Sequence, residues 1–142
     1  MRYLLDTDHI SILQRKLGSE YLRLSDRMAR CRSEDFALSV ISFHEQCLGV
    51  NALIGRAKTD TQVVLAYELL DEVRQGFAFA QVLKFDEAAA GYFQQFRSQG
   101  VRIGTMDLRI ASICLAHDLT LLTRNRRDFE QVQPLRLEGW TV

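Results

Sequence analysis

Apolar residues fall along this chain in short runs that alternate with helically spaced stretches. Tyr3-Leu4-Leu5 is an apolar run stopped by Asp6, the pattern of a buried strand. From about His9 to Arg30, Ile10, Leu13, Leu17, Tyr21, Leu24 and Met28 recur three or four residues apart, and Gly18-Ser19 predicts a break between two helices. Phe36 to Ile41 predicts a second strand. A helix follows from Ser42 to about Ile54, with Gly55 as its end signal. A further helix is predicted from Asp60 to about Arg74, with Val63, Tyr67 and Leu70 on one face and a turn at Gly76. Phe79 to Phe85 reads as a third strand, and Asp86 caps a helix reaching about Arg97. Beyond Gly100, Gly104-Thr105-Met106-Asp107 leads into a helix up to His117. Leu119 to Thr123 is then a fourth strand and Leu135 to Leu137 a weaker fifth.

Strands alternating with helices imply crossover connections. The expected fold is α/β, with a mostly parallel central sheet of four to five strands flanked by helices. In such sheets ligands bind beyond the carboxyl ends of the strands. The polar residues just past each strand are therefore the candidates for chemistry.

Composition narrows the picture. A length of 142 residues fits one domain, residues 1–142, and 47% apolar residues is enough for an ordinary core. One proline and eight glycines leave little room for linkers. Basic and acidic residues balance at 18 each. A protein that binds nucleic acid by bulk attraction is usually basic, so a nucleic acid bound here must be held by local groups or metal ions. Cys31, Cys47 and Cys114 form no Cys-x-x-Cys pair, which excludes a zinc ribbon and a redox motif and fits free thiols in a reducing compartment. The apolar stretch at the N-terminus is too short for a signal peptide, and nothing approaches the ~20 apolar residues of a membrane span. A cytoplasmic protein is expected.

The residues just past the strands are acids. Asp6 and Asp8 follow the first strand, Glu45 lies one helical turn past the second, and Asn125 and Asp128 follow the fourth; Asp107 opens the helix that feeds the fourth. Each has an ordinary structural alternative. Ser42 to Glu45 matches a capping box, Asp107 behind a capping Thr105 complements a helix dipole, Asp6 or Asp8 caps the first helix, and Asp128 is a solvated loop residue. All of them at one end of the sheet is a less ordinary coincidence. Converging carboxylates repel, so some must protonate or share a cation. Oxygen ligands without histidine or cysteine suit magnesium or manganese. Such an ion also lets an acidic cleft accept a polyanion.

The segments Tyr3-Leu4-Leu5-Asp6-Thr7-Asp8, Ile41-Ser42-Phe43-His44-Glu45 with Gly49, Gly104-Thr105-Met106-Asp107-Leu108-Arg109-Ile110-Ala111 and Leu122-Thr123-Arg124-Asn125-Arg126-Arg127-Asp128-Phe129 stand in an order that resembles the PIN-domain ribonucleases, specifically the VapC toxins of bacterial toxin–antitoxin pairs. The C-terminal Leu137-Glu138-Gly139-Trp140 adds to the likeness. The resemblance implies a single PIN-like domain, an endoribonuclease activity on RNA, and Asp6, Glu45 and Asp107 as ligands of Mg2+ or Mn2+. The family's fourth acid falls in the Asn125 to Asp128 segment. It is assigned to Asp128, with Asn125 as a neutral substitute. Many relatives carry Asn where this chain has Asp8, which makes Asp8 an additional carboxylate. An antitoxin partner, with an amphipathic helix in a groove and a basic side chain reaching the carboxylates, and a homodimer are implied as well.

Arg124, Arg126 and Arg127 beside the site are candidates to hold flanking phosphates, with a solvated loop as the alternative. His44-Glu45 begins a zincin pattern, but Leu48 occupies the second histidine's place. His9 and His117 are expected to be structural, and Trp140 to pack rather than stack on bases. Two rival readings remain. Leu4-Leu5-Asp6-Thr7-Asp8 resembles the start of haloacid-dehalogenase-type phosphatases, for which Lys84 or Lys58 would have to supply the lysine. The same fold could also serve as a binding module without catalysis.

Overall fold

Side chains alternate across β1 (Tyr3–Leu5), so that Leu4 enters one core and Tyr3 and Leu5 enter another. That alternation sets the architecture. In the computed structural model, which describes residues 1–142, β1 is the centre of a five-stranded sheet. β2 (Phe36–Ser39), β3 (Val82–Leu83), β4 (Thr120–Leu122) and β5 (Arg136–Glu138) complete it in the order β3-β2-β1-β4-β5. Every neighbouring pair is parallel. The sheet is thus α/β as expected, and wholly rather than mostly parallel.

The helices are α1 (Thr7–Arg15), α2 (Gly18–Ala29), α3 (Val40–Arg56), α4 (Asp60–Ala78), α5 (Glu87–Ser98), α6 (Thr105–Ala116) and the short α7 (Arg126–Phe129). Ile10, Leu24, Val50, Val73 and Phe77 from α1 to α4 pack on the face that presents Tyr3, Leu5 and Leu122. Ala89, Phe96, Leu108 and Ile110 from α5 and α6 pack on the other face against Leu4, Ala37 and Leu121. Burying each large side chain stabilises the fold by roughly 1.5–3 kcal/mol. Trp140 is part of this packing, 4.7 Å from the Tyr3 ring and 5.9 Å from the Phe36 ring, with the Arg27 guanidinium over its face.

Connectivity positions the site. The chain leaves β1 for β2 and then β3 on one side, and returns through α5 and α6 to β4 on the other. The order reverses between β1 and β4, and at such a switch point the carboxyl ends of the strands open a crevice.

Several boundaries differ from the sequence expectation. β2 ends at Ser39, because the Ser39 hydroxyl accepts the Ser42 N–H at 3.1 Å and starts α3 at Val40. The capping box that was the structural alternative for Ser42 to Glu45 therefore does not form. Gly55 and Gly76 lie inside α3 and α4 rather than ending them. At Gly76 the burial of Phe77, 7% exposed, outweighs the ~1 kcal/mol helix cost of glycine. The longer α4 consumes the start of the expected third strand, and β3 shrinks to two residues. Thr105 is the first residue of α6 and not its cap, which is Gly104 without a side-chain bond. A one-turn 3-10 helix at Ser33–Asp35 and α7 are too short for periodicity to reveal.

Candidate metal centre

Asp6 ends β1 and caps α1. One oxygen, Oδ1, accepts the Thr7 N–H at 2.8 Å; the other, Oδ2, accepts the Thr123 hydroxyl at 2.8 Å. Thr123 is the first residue past β4, so this carboxylate joins the two central strands at the switch point. It is 6% exposed. Burial, then the neighbouring Asp8 and Asp107 charges, push its pKa up to about 7 against the two threonine bonds.

Glu45 sits in the second turn of α3. Its Oε1 accepts the Thr7 hydroxyl at 2.8 Å, and Thr7 in turn meets the Ser42 hydroxyl at 2.9 Å. Ser39, Ser42, Thr7 and Glu45 thus form a line of hydroxyls that fixes the carboxylate across the α1–α3 junction.

Asp107 lies in the first turn of α6. Burial pushes its pKa up to about 6, and the charges acting on it, Glu45, Asp128 and Asp8, are all carboxylates. A group so placed gains most from a cation. Asp128, in α7, accepts the Asn125 Nδ2–H at 3.0 Å, while the Asn125 backbone N–H is held by the Thr123 hydroxyl at 3.0 Å. Asn125 and Asp128 therefore form one unit, close enough for the Asp128 carboxylate to act on Asp107.

Asp8 is differently employed. Its Oδ1 bonds the His9 Nδ1 at 2.8 Å, and its Oδ2 accepts the Arg124 N–H at 3.2 Å with the Arg124 Nε at 3.6 Å. Burial pushes the Asp8 carboxyl up, but His9 and Arg124 together outweigh it and hold the pKa below the usual value. Both oxygens are engaged, so Asp8 is poorly placed to shuttle protons as the phosphatase reading requires. Lys84, the lysine that reading needs, follows the edge strand β3, two strands from Asp6. Lys58 lies between α3 and α4.

Arg124 also pairs with Glu20 at 2.7 Å, and Arg126 lies 3.9 Å from Glu130. Two of the three arginines expected to hold phosphate thus already face carboxylates, and Arg127 is exposed on α7. His9 is fully buried behind Asp8, and its Nε2 has no partner. His117 ends α6 with an exposed side chain. Cys31 and Cys47 are partly buried, and the Cys114 thiol is buried, bonded to the Leu119 carbonyl and pushed up to about 12 by desolvation.

The donor set fits a hard divalent cation by its chemistry. Asp6, Glu45, Asp107 and Asp128 offer oxygen alone, and at Asp6 and Asp107 burial, aided by neighbouring carboxylate charge, favours protons that a cation would displace. No three of the chain's His, Cys, Asp and Glu side chains already enclose an ion-sized point.

Residues 3–134 match the PIN domain. The chain belongs to the PIN-domain family. Across 99% of this PIN domain and 98% of the relative it is 25% identical to ribonuclease VapC2 of Rickettsia felis. Over 64 residues, 42% of this chain and 48% of the other, it is 39% identical to the tRNA(fMet)-specific endonuclease VapC of Shigella flexneri, so that match spans about half of the relative's length. The crystal structure of DNA-bound VapBC from Salmonella typhimurium shares the fold with a TM-score of 0.78 at 22% identity, covering 99% of this chain and 98% of that one.

The PIN domain also uses residues that the sequence did not single out. Thr7 and Thr123 orient Asp6 and Glu45, and their only signal was a hydroxyl beside each strand end. Ser39 was hidden because Ser42, with Glu45 three residues on, offered the fuller capping pattern. No helix is long and apolar enough to cross a membrane.

Proposed function

We propose that this PIN domain is a magnesium- or manganese-dependent endoribonuclease, the toxin of a toxin–antitoxin pair, working in the cytoplasm on RNA phosphodiesters. One observation carries the chemistry. Asp6, Glu45 and Asp107 come from β1, α3 and α6 to one crevice, where burial and carboxylate charges push Asp6 up to about 7 and Asp107 up to about 6. Such a crevice is unstable toward any cation that enters. Asp6, Glu45 and Asp107 would hold the ion, with Asp128 beside them. When bound, the ion supplies a more acidic water and a counter-charge to the phosphoryl oxygens. The chain's own part is to hold the carboxylates. Thr7 and Thr123 fix the Asp6 oxygens, Thr7 fixes Glu45, and Asn125 fixes Asp128.

The named activities of the Rickettsia and Shigella relatives, a ribonuclease and a tRNA endonuclease, support RNA as the substrate. The VapBC likeness and the exposed Leu48, Leu53, Val64, Leu65 and Tyr67 on α3 and α4 support an antitoxin partner and a homodimer. The test is incubation of total bacterial RNA with the purified chain, with magnesium, with manganese and with chelator. Cleavage that needs the ion and is lost in Asp107→Asn is the expected result. Ion-independent cleavage, or none at any ion concentration, would overturn the proposal.

A further inference from the structure

Beside the carboxylates lies an open cleft of about 700 Å³ lined by Arg97, Gly100, Val101, Arg102, Ile103, Gly104 and Asp128. Its floor reaches the metal centre, since a methyl group added at Gly104 would stand 3.7 Å from Asp107 Oδ2. Its walls are cationic. Arg97 donates from Nη2 to the Thr105 hydroxyl at 3.0 Å and lies 5.2 Å from the Phe93 ring centre. It is therefore tied to the same helical turn that carries Asp107. None of the chain's ion pairs involves Arg97 or Arg102.

The contrast with the β4–α7 loop decides the matter. Arg124 is held by Glu20 and Asp8, and Arg126 faces Glu130. A phosphate binding to either of these two would have to break a carboxylate pair first, which leaves only the exposed Arg127 of that segment without one. At Arg97 and Arg102 it would meet guanidinium groups with no anion to displace, one of them already held in place. In a chain of zero net charge, such unpaired cations next to an acidic centre are the local means of holding a polyanion.

We propose that the Arg97–Arg102 cleft is the backbone subsite for the RNA strand flanking the scissile phosphate, with Arg102 a phosphate ligand and Arg97 a second one fixed by Thr105. This rests on the nuclease function proposed above and names where its substrate runs.

Arg102 is exposed and unpaired, so Arg102→Gln leaves the fold intact. The probe is a short, mixed-sequence, fluorophore-labelled single-stranded RNA, with binding followed by anisotropy in calcium between about 50 and 200 mM salt. Arg102→Gln should weaken binding roughly tenfold and make the log–log salt slope shallower by about 0.7, the share of one phosphate on a single strand. Arg102→Glu should weaken it further. Arg30→Gln, which removes a cation paired with Asp26 in α2, should leave affinity and slope as in the wild type. Equal affinity and slope for Arg102→Gln and wild type, with magnesium-dependent RNA cleavage by the wild type intact, would overturn the subsite alone. A wild type that neither binds this RNA nor cuts total RNA with magnesium would overturn the nuclease function itself.

Discussion

Thr7 donates its hydroxyl to Glu45 Oε1 at 2.8 Å across 38 positions of sequence. The bond joins the start of α1, which leaves β1, to the second turn of α3, which leaves β2. A carboxylate on a half-buried helical turn can still sample several rotamers, and this hydroxyl selects one.

Thr7→Val keeps the shape and removes the donor. Cleavage should fall roughly 10–100-fold, the usual cost of losing a group that orients a metal-binding side chain. Thr7→Ser should keep near-normal activity. Rates measured across a magnesium titration check this, and a Thr7→Val enzyme as active as wild type would show that Glu45 needs no anchoring.

Asp6→Asn and Asp107→Asn each remove a charge from the repelling cluster. Both should abolish cleavage while leaving the metal-free protein as stable as the wild type or more so. A melting temperature that collapses in either variant would make these residues structural rather than functional.

The same cluster sets a pH dependence. In the folded, metal-free chain Asp6 and Asp107 keep protons up to about 7 and about 6, against 3.8 for ordinary aspartate. Between those values the folded state binds more protons than the unfolded chain, so stability falls as pH rises. The contribution is complete below 3.8 and lost above about 7. Thermal melting in chelator should therefore give a lower Tm at about pH 8 than at about pH 5. The double variant Asp6→Asn, Asp107→Asn should flatten the profile, and a profile that keeps its full slope there would place the protons elsewhere.

Asp8 is best tested as a clamp on the β4–α7 loop. Asp8→Asn keeps an acceptor for the Arg124 N–H and should retain substantial cleavage, with a higher magnesium requirement. Asp8→Ala removes the partner of buried His9 and of Arg124 and should cost roughly 1–3 kcal/mol of stability. A phosphatase would lose roughly 10²–10⁴-fold on Asp8→Asn. Cleavage of RNA and of a phosphomonoester by the variant, together with urea unfolding, separates these outcomes.

The acids were legible in the sequence because Asp6, Glu45 and Asp128 follow strand ends and Asp107 opens the helix that feeds the fourth strand, and parallel topology sends all these segments to one edge. What held them was not. The Asp8–Arg124 and Arg124–Glu20 contacts join residues 116 and 104 positions apart, and no local pattern encodes a partner at that distance. Arg124, a phosphate candidate by its place in the sequence, shares its charge with Glu20 and Asp8 in the fold. Ser42 drew attention as the helix start because Glu45 stands three residues on, whereas the cap in the fold is Ser39, which has no such acid. Gly76 misled for a similar reason, since glycine disfavours a helix locally but the Phe77 contact that prolongs α4 is tertiary.

The bond from Thr123 to Asp6 spans 117 positions. Asp6 is made 117 residues before Thr123, so the strand end that completes its surroundings follows it by the whole length between them. A nascent chain not yet past β4 lacks Thr123 and Asp128, and one that has not reached α6 lacks Asp107 as well. Cleavage ability therefore comes late in synthesis and all together. A chain broken off before residue 123 lacks the hydroxyl that holds Asp6 and is expected to cleave nothing.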